Sequence, residues 1–232
     1  MGTTLSAVKC PLSEREVRAL LKSWVQMVER YCTQHKNQDN PWWYNERASL
    51  STLAGAAWSE GWSALEEYSS AKRQKAPADG VESGDTRLGR VDLFVMSLKG
   101  TSMTFEAKHA WQRIGPRADR LRYVHKGMKA AWEDSNSLIR SHSDRRFAAT
   151  FVAPSMALSD IPDDNRQELV MKQLNQWLKE TGEFTRKGGK PPFFAYVFPS
   201  IGDNCFDFRN RHYPGVVLIL EERVKATGHR RD

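Results

Sequence analysis

Two carboxylates and one ammonium stand at spacings that suit metal-assisted hydrolysis. Asp92 and Glu106 interrupt the apolar pattern of "GRVDLFVMSLKGTSMTFEAKHAW", residues 89–111, and Lys108 follows Glu106 by two positions. Two carboxylates that meet on a sheet repel each other and lose solvation, and a divalent cation offsets both costs. Mg²⁺ prefers hard oxygen ligands, typically one or two carboxylates with water. Lys108 would then steady the charge of a phosphate under attack, or help to orient and deprotonate the attacking water.

The length of the hairpin loop decides whether the two carboxylates meet. In a strand, residues two apart share a face, so Glu106 and Lys108 lie together. A three-residue loop, Leu98-Lys99-Gly100 with Gly100 left-handed, pairs Ser97 with Thr101 and brings Asp92 directly opposite Glu106. A two-residue loop at Gly100-Thr101 turns Asp92 to the opposite face. The sequence permits both loops.

A second interpretation of the same three residues involves no catalysis. Asp92 and Glu106 would lie on a solvated sheet face, and Lys108 would be their ion-pair partner. Spacing alone leaves both interpretations open.

A resemblance to a known family favours catalysis. Residues 48–155 resemble the PD-(D/E)XK nuclease superfamily. The resemblance lies in the order of a helix, a hairpin with Asp92, the group Glu106-Ala107-Lys108 on the next strand, and a further helix. The phrases "GRVDLFV" and "TFEAKHAW" are typical of that superfamily, although Val91 stands where a proline is usual. The resemblance implies a restriction-endonuclease-like αβββαβ core. It also implies Mg²⁺, with Mn²⁺ able to substitute, bound by Asp92, Glu106 and the main-chain carbonyl of Ala107, while Lys108 assists the attack of water.

The resemblance also implies an acidic residue from the helix before the hairpin. Glu60 is the first choice, because it borders the apolar face of the helix expected over residues 48–70. Glu46 is the reserve, since continuing that helix backward places it on the apolar face. Either would complete the site through the metal or through water.

A basic stretch follows the active-site strand. Its cations would bind phosphates on either side of the cut, largely without regard to sequence. His109 and Gln112 are expected auxiliary residues, which orient water or backbone near the metal. The nucleic-acid-binding residues expected in this stretch are Arg113, Arg117, Arg120, Arg122, Lys126 and Lys129.

The elements that must position these residues indicate an α/β fold, with helices covering a central mixed sheet. Apolar periodicity predicts helices over 12–32, 48–70, 119–140 and 163–182. The hairpin over 89–111 and apolar runs at 145–154, 192–199 and 215–224 predict strands, and the first core strand would fall within 79–89. We expect one domain, with an N-terminal helical extension (1–45), the core (48–155), a C-terminal helix and strands (156–224) and a frayed tail (225–232).

Composition narrows the class of partner. The 232 residues include 35 Lys and Arg against 28 Asp and Glu, so the chain carries a net charge of +7 and favours a polyanionic partner. Three widely spaced cysteines argue against a disulfide framework. The sequence shows no signal peptide and no long apolar run, which predicts a cytoplasmic protein that does not associate with a membrane.

The expected function is therefore metal-dependent hydrolysis of nucleic acid, with DNA and internal cleavage favoured. The alternative is an inactive nuclease-fold module that binds nucleic acid or serves assembly. A homodimer or larger complex is left open.

Overall fold

The computed structural model describes residues 3–73, 86–138, 143–180, 184–185 and 189–223. Within these ranges the chain forms four α-helices, and short 3-10 turns fill several connections. Apolar residues recur at helical spacing and form the buried side of a helix, as in the first helix, where Val17, Leu20, Trp24 and Val28 are buried. The helices are α1 (Arg15–Gln34), α2 (Glu46–Ser59), α3 (Arg122–Ser135) and α4 (Arg166–Glu180).

A large mixed sheet lies between the helices. The described strands are β1 (Leu5–Lys9), β2 (Ser63–Arg73), β3 (Thr86–Met96), β4 (Ser102–Arg113), β5 (Arg145–Ala157), β6 (Phe193–Phe198), β7 (Asp207–Phe208), β8 (Arg211–His212) and β9 (Val216–Glu222). The main path runs β1-β6-β9-β5-β4-β3-β2, and the short strands β7 and β8 join it through β5. Strands β4 and β5 are parallel, and α3 supplies the crossover that a parallel connection requires.

The sheet buries apolar side chains on both faces. One face packs on α1 and α2 through residues such as Phe105, Phe147 and Phe151. The other packs on α3 and α4, where Val152 and Ile219 meet the helices. The α/β class expected from the sequence is thereby confirmed, with helices on both sides of a mixed sheet.

The helix expected over residues 48–70 is wrong in its second half. Asn45 caps the start of α2 by accepting a hydrogen bond from the backbone N–H of Ala48, and the helix ends at Ser59. Gly61 follows with a left-handed φ of +74°, a conformation that stops a helix and suits glycine. Residues 63–73 then form β2, which pairs antiparallel with β3.

Strand β2 therefore takes the place of the first core strand that was expected within residues 79–89. Residues 86–89 belong instead to β3, and the remainder of that stretch lies outside the described residues. The segment from α2 to β5 has the order helix, three antiparallel strands, helix, strand.

The other expected elements are confirmed within small shifts of their ends: α1, the β3–β4 hairpin, α3, β5, α4, β6 and β9. Strand β1 was not expected, and it pairs with β6 at the edge of the sheet. The expected frayed tail over 225–232 lies outside the described residues. Among the helices described, none combines the length and apolar character needed to cross a membrane.

Candidate active site

The turn between β3 and β4 has the three-residue form. The backbone N–H of Ser97 donates to the carbonyl of Thr101 at 3.0 Å, and Gly100 is left-handed with a φ of +82°. The ladder then runs from Met96 opposite Ser102 to Leu93 opposite Phe105. The three-residue loop is thus the form that the structure has, but the ladder ends one residue short of Asp92 and Glu106. The charge of Asp92 acts on the pKa of Glu106, so the two carboxylates lie near each other, and their direct pairing across the ladder stays a prediction.

Beyond Leu93 and Phe105 the two strands part, and carboxylates bind the freed edge of β4. The backbone N–H of Ala107 donates to Oδ2 of Asp92 at 2.8 Å instead of to a carbonyl of β3. The N–H of His109 donates to the carboxylate of Glu46, at the start of α2. A buried strand edge needs acceptors for its N–H groups, and here acidic side chains supply them.

Glu106 lies at the bottom of this opening with only 4% of its surface exposed. Burial and, after it, the nearby charge of Asp92 raise the pKa of Glu106 to about 7, although Lys72 acts in the opposite direction. The Nζ of Lys72 is 2.7 Å from Oε1 of Glu106, and both side chains are shielded from water. The Glu106 carboxyl therefore titrates near neutral pH although the ammonium of Lys72 contacts it.

Two backbone features bring Lys72 to Glu106. Glu67 has a left-handed φ of +52°, which interrupts the alternation of β2, so Tyr68 stacks on Phe94 at a ring separation of 4.9 Å. Gly89 then leaves space for the lysine stem, because a Cβ at that position would lie 2.8 Å from Cγ and Cδ of Lys72. The lysine can thus cross β3 and reach the carboxylate on β4.

Lys108 sits among acceptors. Its Nζ is 2.9 Å from Oδ2 of Asp134 on α3 and 3.8 Å from Oε2 of Glu46, and it donates to the carbonyl of Ala107 at 2.8 Å. Burial by itself lowers the pKa of Lys108, but the hydrogen bond to Asp134 and the charges of its acidic neighbours raise it above the usual value. Lys108 is therefore held as a cation.

The charges of this cluster suit a divalent cation. It combines two ammoniums, Lys72 and Lys108, with four carboxylates, and is acidic by two charges when every member is ionised; the four are Glu46, Asp92, Glu106 and Asp134. Their oxygens are the hard donors that Mg²⁺ prefers. Within the described ranges no group of three or more His, Cys, Asp or Glu side chains is close enough to form a metal site as it stands. A Mg²⁺ ion would be held by Asp92 and Glu106, with waters completing its coordination, and would compete with Lys72.

The structure separates the two helix glutamates that were expected near the site. Glu46 opens α2 and reaches the cluster, where burial raises its pKa. Glu60 is the C-cap residue at the other end of α2, so about 20 Å of helix separates the two positions. The reserve choice, Glu46, is the helix carboxylate that contacts Lys108, whereas the placement expected for Glu60 is wrong because the helix ends before it.

The two expected auxiliary residues serve the scaffold. Gln112 is fully buried, and its Oε1 accepts from the N–H groups of Tyr123 and Val124 at the start of α3. It therefore orients backbone. Burial lowers the pKa of His109 to about 4, so this ring is neutral at physiological pH, and its Nδ1 faces the Ser49 hydroxyl at 3.3 Å. Its main-chain N–H, not its ring, contacts the cluster.

The expected basic residues divide into distinct environments. Arg113 ends β4, and with Lys126 on α3 it lines a cleft beside Lys108. Arg120 is an ion-pair partner of Glu180, with 2.5 Å between Nη1 and Oε2, and so ties the loop before α3 to α4. The remaining three are exposed outside the lining of the cleft: Arg117, Arg122 and Lys129.

Sequence reasoning missed Lys72 and Asp134 as members of the cluster. Lys72 lay in a charged stretch expected to be loop, and Asp134 lay far along a helix with no spacing that links it to Lys108. Tertiary packing brings Lys72 and Asp134 to the cluster, and no local sequence pattern indicates either residue.

Comparison of the chain with protein-family models, with curated proteins and with solved structures finds no match. The resemblance to the PD-(D/E)XK superfamily remains a prediction.

Proposed function

We propose that this chain is a metal-dependent nuclease that hydrolyses phosphodiester bonds in nucleic acid. The observation that carries the proposal is that the carboxylates of Asp92 and Glu106 lie close together where β3 and β4 part, with Lys108 two residues beyond Glu106 on β4. Carboxylates in a shielded opening need a cation, and a phosphodiester substrate needs both a cation and a hydrogen-bond donor. These requirements coincide at one place.

A bound Mg²⁺ would supply electrophilic stabilisation of the negative charge that develops on the phosphate. Asp92 and Glu106 are the side chains suited to hold it. Lys108, whose raised pKa keeps it protonated, suits the role of a donor to the phosphate better than that of a base. Glu46, close to Lys108 and with 35% of its side chain open to solvent, is suited to orient the attacking water and accept its proton.

Two further observations support a nuclease. The element order from α2 to β5 is the αβββαβ order that the family resemblance implies. A cleft that contains Arg113 and Lys126 begins at Lys108, so phosphates next to the scissile bond would meet cations. DNA is the polymer we propose, and internal cleavage the mode.

One observation favours a second function, an inactive nuclease-fold module that binds nucleic acid. Lys72 contacts Glu106 at 2.7 Å and offsets its charge without any metal. In such a module the ammonium would be the permanent partner of the carboxylate, and the cluster would serve stability alone.

Cleavage assays separate the two functions. The purified chain is incubated with single-stranded, duplex and branched DNA and with RNA, with Mg²⁺, Mn²⁺ or EDTA. The nuclease should cut at least one substrate only with metal, and Lys108→Ala should lower the rate by about 100-fold or more while substrate binding remains. Lys99→Ala, which removes an exposed lysine of the same hairpin, is the matched control and should cleave at the parent rate. Binding without cleavage by any metal-loaded sample would exclude the nuclease in favour of the module.

A further inference from the structure

A cleft of about 500 Å³ lies beside Lys108, at the carboxyl ends of the parallel strands β4 and β5. Helix α3 forms one wall, and the segment around β8 contributes residues from far along the chain. Its volume falls in the range of pockets that bind small molecules or single nucleotides. We call it the aromatic cleft, after the side chains that define it: Trp111, Tyr123 and Tyr213, with Arg113, Lys126 and Arg211.

The aromatic residues of the cleft keep much of their surface exposed. Trp111 is 41% exposed and Tyr123 is 40% exposed, whereas Trp24, Trp42 and Trp177 are fully buried. Tyr213 contacts Trp111 edge-on at a ring separation of 5.5 Å and so holds the indole in place. Exposed aromatic surface gathered in one concave site indicates a ligand with a flat face.

The cations of the cleft are not balanced by acids in its lining. Arg113, Lys126 and Arg211 line it together with Lys108, whose charge is met by Asp134 and Glu46 outside the lining, and no Asp or Glu is among the described lining residues. Arg211 is held in place because its guanidinium donates to the hydroxyl and the carbonyl of Ser155. Burial and the neighbouring Arg113 lower the pKa of Arg211, although Tyr213 and Asp160 act in the opposite direction. This site therefore favours an anion as well as a flat ring.

We propose that the aromatic cleft binds an unpaired nucleotide of a single-stranded nucleic acid, whose base stacks on Trp111 or Tyr123 while the cations bind its phosphates. The inference rests on the proposed function, because it places this nucleotide next to the bond that would be cut at Lys108. In a duplex each base is covered by its neighbours on both faces, so side chains stack on bases only where the strand is single or the base is extruded. A surface for duplex backbone alone would need the cations but not the rings.

Binding measured without cleavage tests this proposal. A fluorescein-labelled DNA single strand of about 12 nucleotides, and the blunt duplex made from it, are titrated with the chain in EDTA and followed by fluorescence anisotropy. The single strand should bind at least about tenfold more tightly than the duplex. Trp111→Ala should weaken single-strand binding by about tenfold, in line with the loss of one stacked base, and should leave duplex binding unchanged. Trp58→Ala is the matched control, since Trp58 is a 57% exposed tryptophan of α2 outside the cleft lining, and it should bind like the parent.

Further variants guard against loss of folding. Trp111→Phe retains a ring and should restore most of the affinity, and Tyr123→Ala removes a ring from an exposed helix position and should weaken single-strand binding as well. Equal affinity for both DNA forms would overturn the proposal, as would cleft variants that match Trp58→Ala. The binding titration contains no metal, so its result is independent of the cleavage assay. A chain that prefers the single strand in EDTA but cuts no substrate with Mg²⁺ or Mn²⁺ would exclude the nuclease and support this inference. A chain that cuts duplex DNA without any effect of Trp111 would do the reverse.

Discussion

Lys72→Met is the substitution whose effect the structure defines most closely. It removes the ammonium that lies 2.7 Å from Glu106 and keeps an unbranched side chain in the space left by Gly89. Lys72 lowers the pKa of Glu106, so the variant should raise that pKa above its value of about 7. Glu106 would then keep its proton at pH values where the parent protein has lost it.

The size of the effect follows from proton linkage. In the parent the folded-state pKa of Glu106 is raised from 4.5 to about 7, so its contribution to stability is fully present below pH 4.5 and is lost as the pH rises to about 7. That loss amounts to about 3 kcal/mol, and it ends near pH 7 because the carboxyl is then ionised in both states. In the variant the loss should continue above pH 7 at about 1.4 kcal/mol per pH unit. As long as the pH stays below the variant's own Glu106 pKa, the gap in stability between parent and variant should therefore widen, by about 1 kcal/mol from pH 7 to 8 and by about 2 kcal/mol from pH 7 to 9.

Urea unfolding followed by tryptophan fluorescence measures this gap. Parent and Lys72→Met are unfolded at pH 6, 7, 8 and 9 in EDTA at constant ionic strength, so that other titrating groups cancel in the difference. The control repeats the comparison in a Glu106→Gln background, where the position cannot titrate and the gap should not depend on pH. A gap between parent and Lys72→Met that stays constant within about 0.5 kcal/mol from pH 6 to 9 would refute the ion pair as described.

Other predictions concern the metal, the helix carboxylate and the packing. Since Glu106 must lose its proton to bind a cation, Mn²⁺ affinity measured by calorimetry should rise with pH up to about 7 and then level off, whereas a pH-independent affinity would exclude Glu106 as a ligand. Glu46→Gln should lower the cleavage rate by about 100-fold, with Glu60→Gln as the matched control at the parent rate, and the reverse result would restore Glu60 to the site. Gly215→Ala should lower the free energy of unfolding by about 3 kcal/mol, because its Cβ would lie 2.2 Å from the carbonyl oxygen of Val197. Gly55 lies within α2, and a Cβ there would meet only the flexible side chain of Met27. Gly55→Ala should therefore leave the free energy of unfolding unchanged or raise it by up to about 1 kcal/mol in the same urea titration.

The hairpin shows how far local reasoning extends. Gly100 suits the left-handed position of a three-residue loop, and once that loop is assumed, counting residues brings Asp92 opposite Glu106. The sequence could not choose between the two loops, because their energies depend on how the hairpin packs. The tertiary structure has the three-residue form.

The error in α2 has a physical cause that periodicity cannot detect. Apolar and small residues continue at helical spacing past Gly61, yet the chain leaves the helix there and Ala64 enters the core from a strand. Strand β2 forms because β3 offers hydrogen-bond partners along its length, a long-range contribution that overrides local preference. This exchange of helix for strand moved the helix carboxylate of the site from Glu60 to Glu46.

The sequence by itself determined the α/β class, most of the helices and strands, and the residues Asp92, Glu106 and Lys108 as one local constellation, because periodicity and short loops act within a few residues of the chain. Only the tertiary structure decided which distant side chains join them. Lys72, Asp134 and Glu46 reach the cluster from separate elements. Arg211 and Tyr213 line the aromatic cleft although they lie more than 100 positions after Lys108 in the sequence. Their convergence depends on how helices pack over the sheet and where two strands part, and those long-range contacts leave no mark on the local pattern of residues.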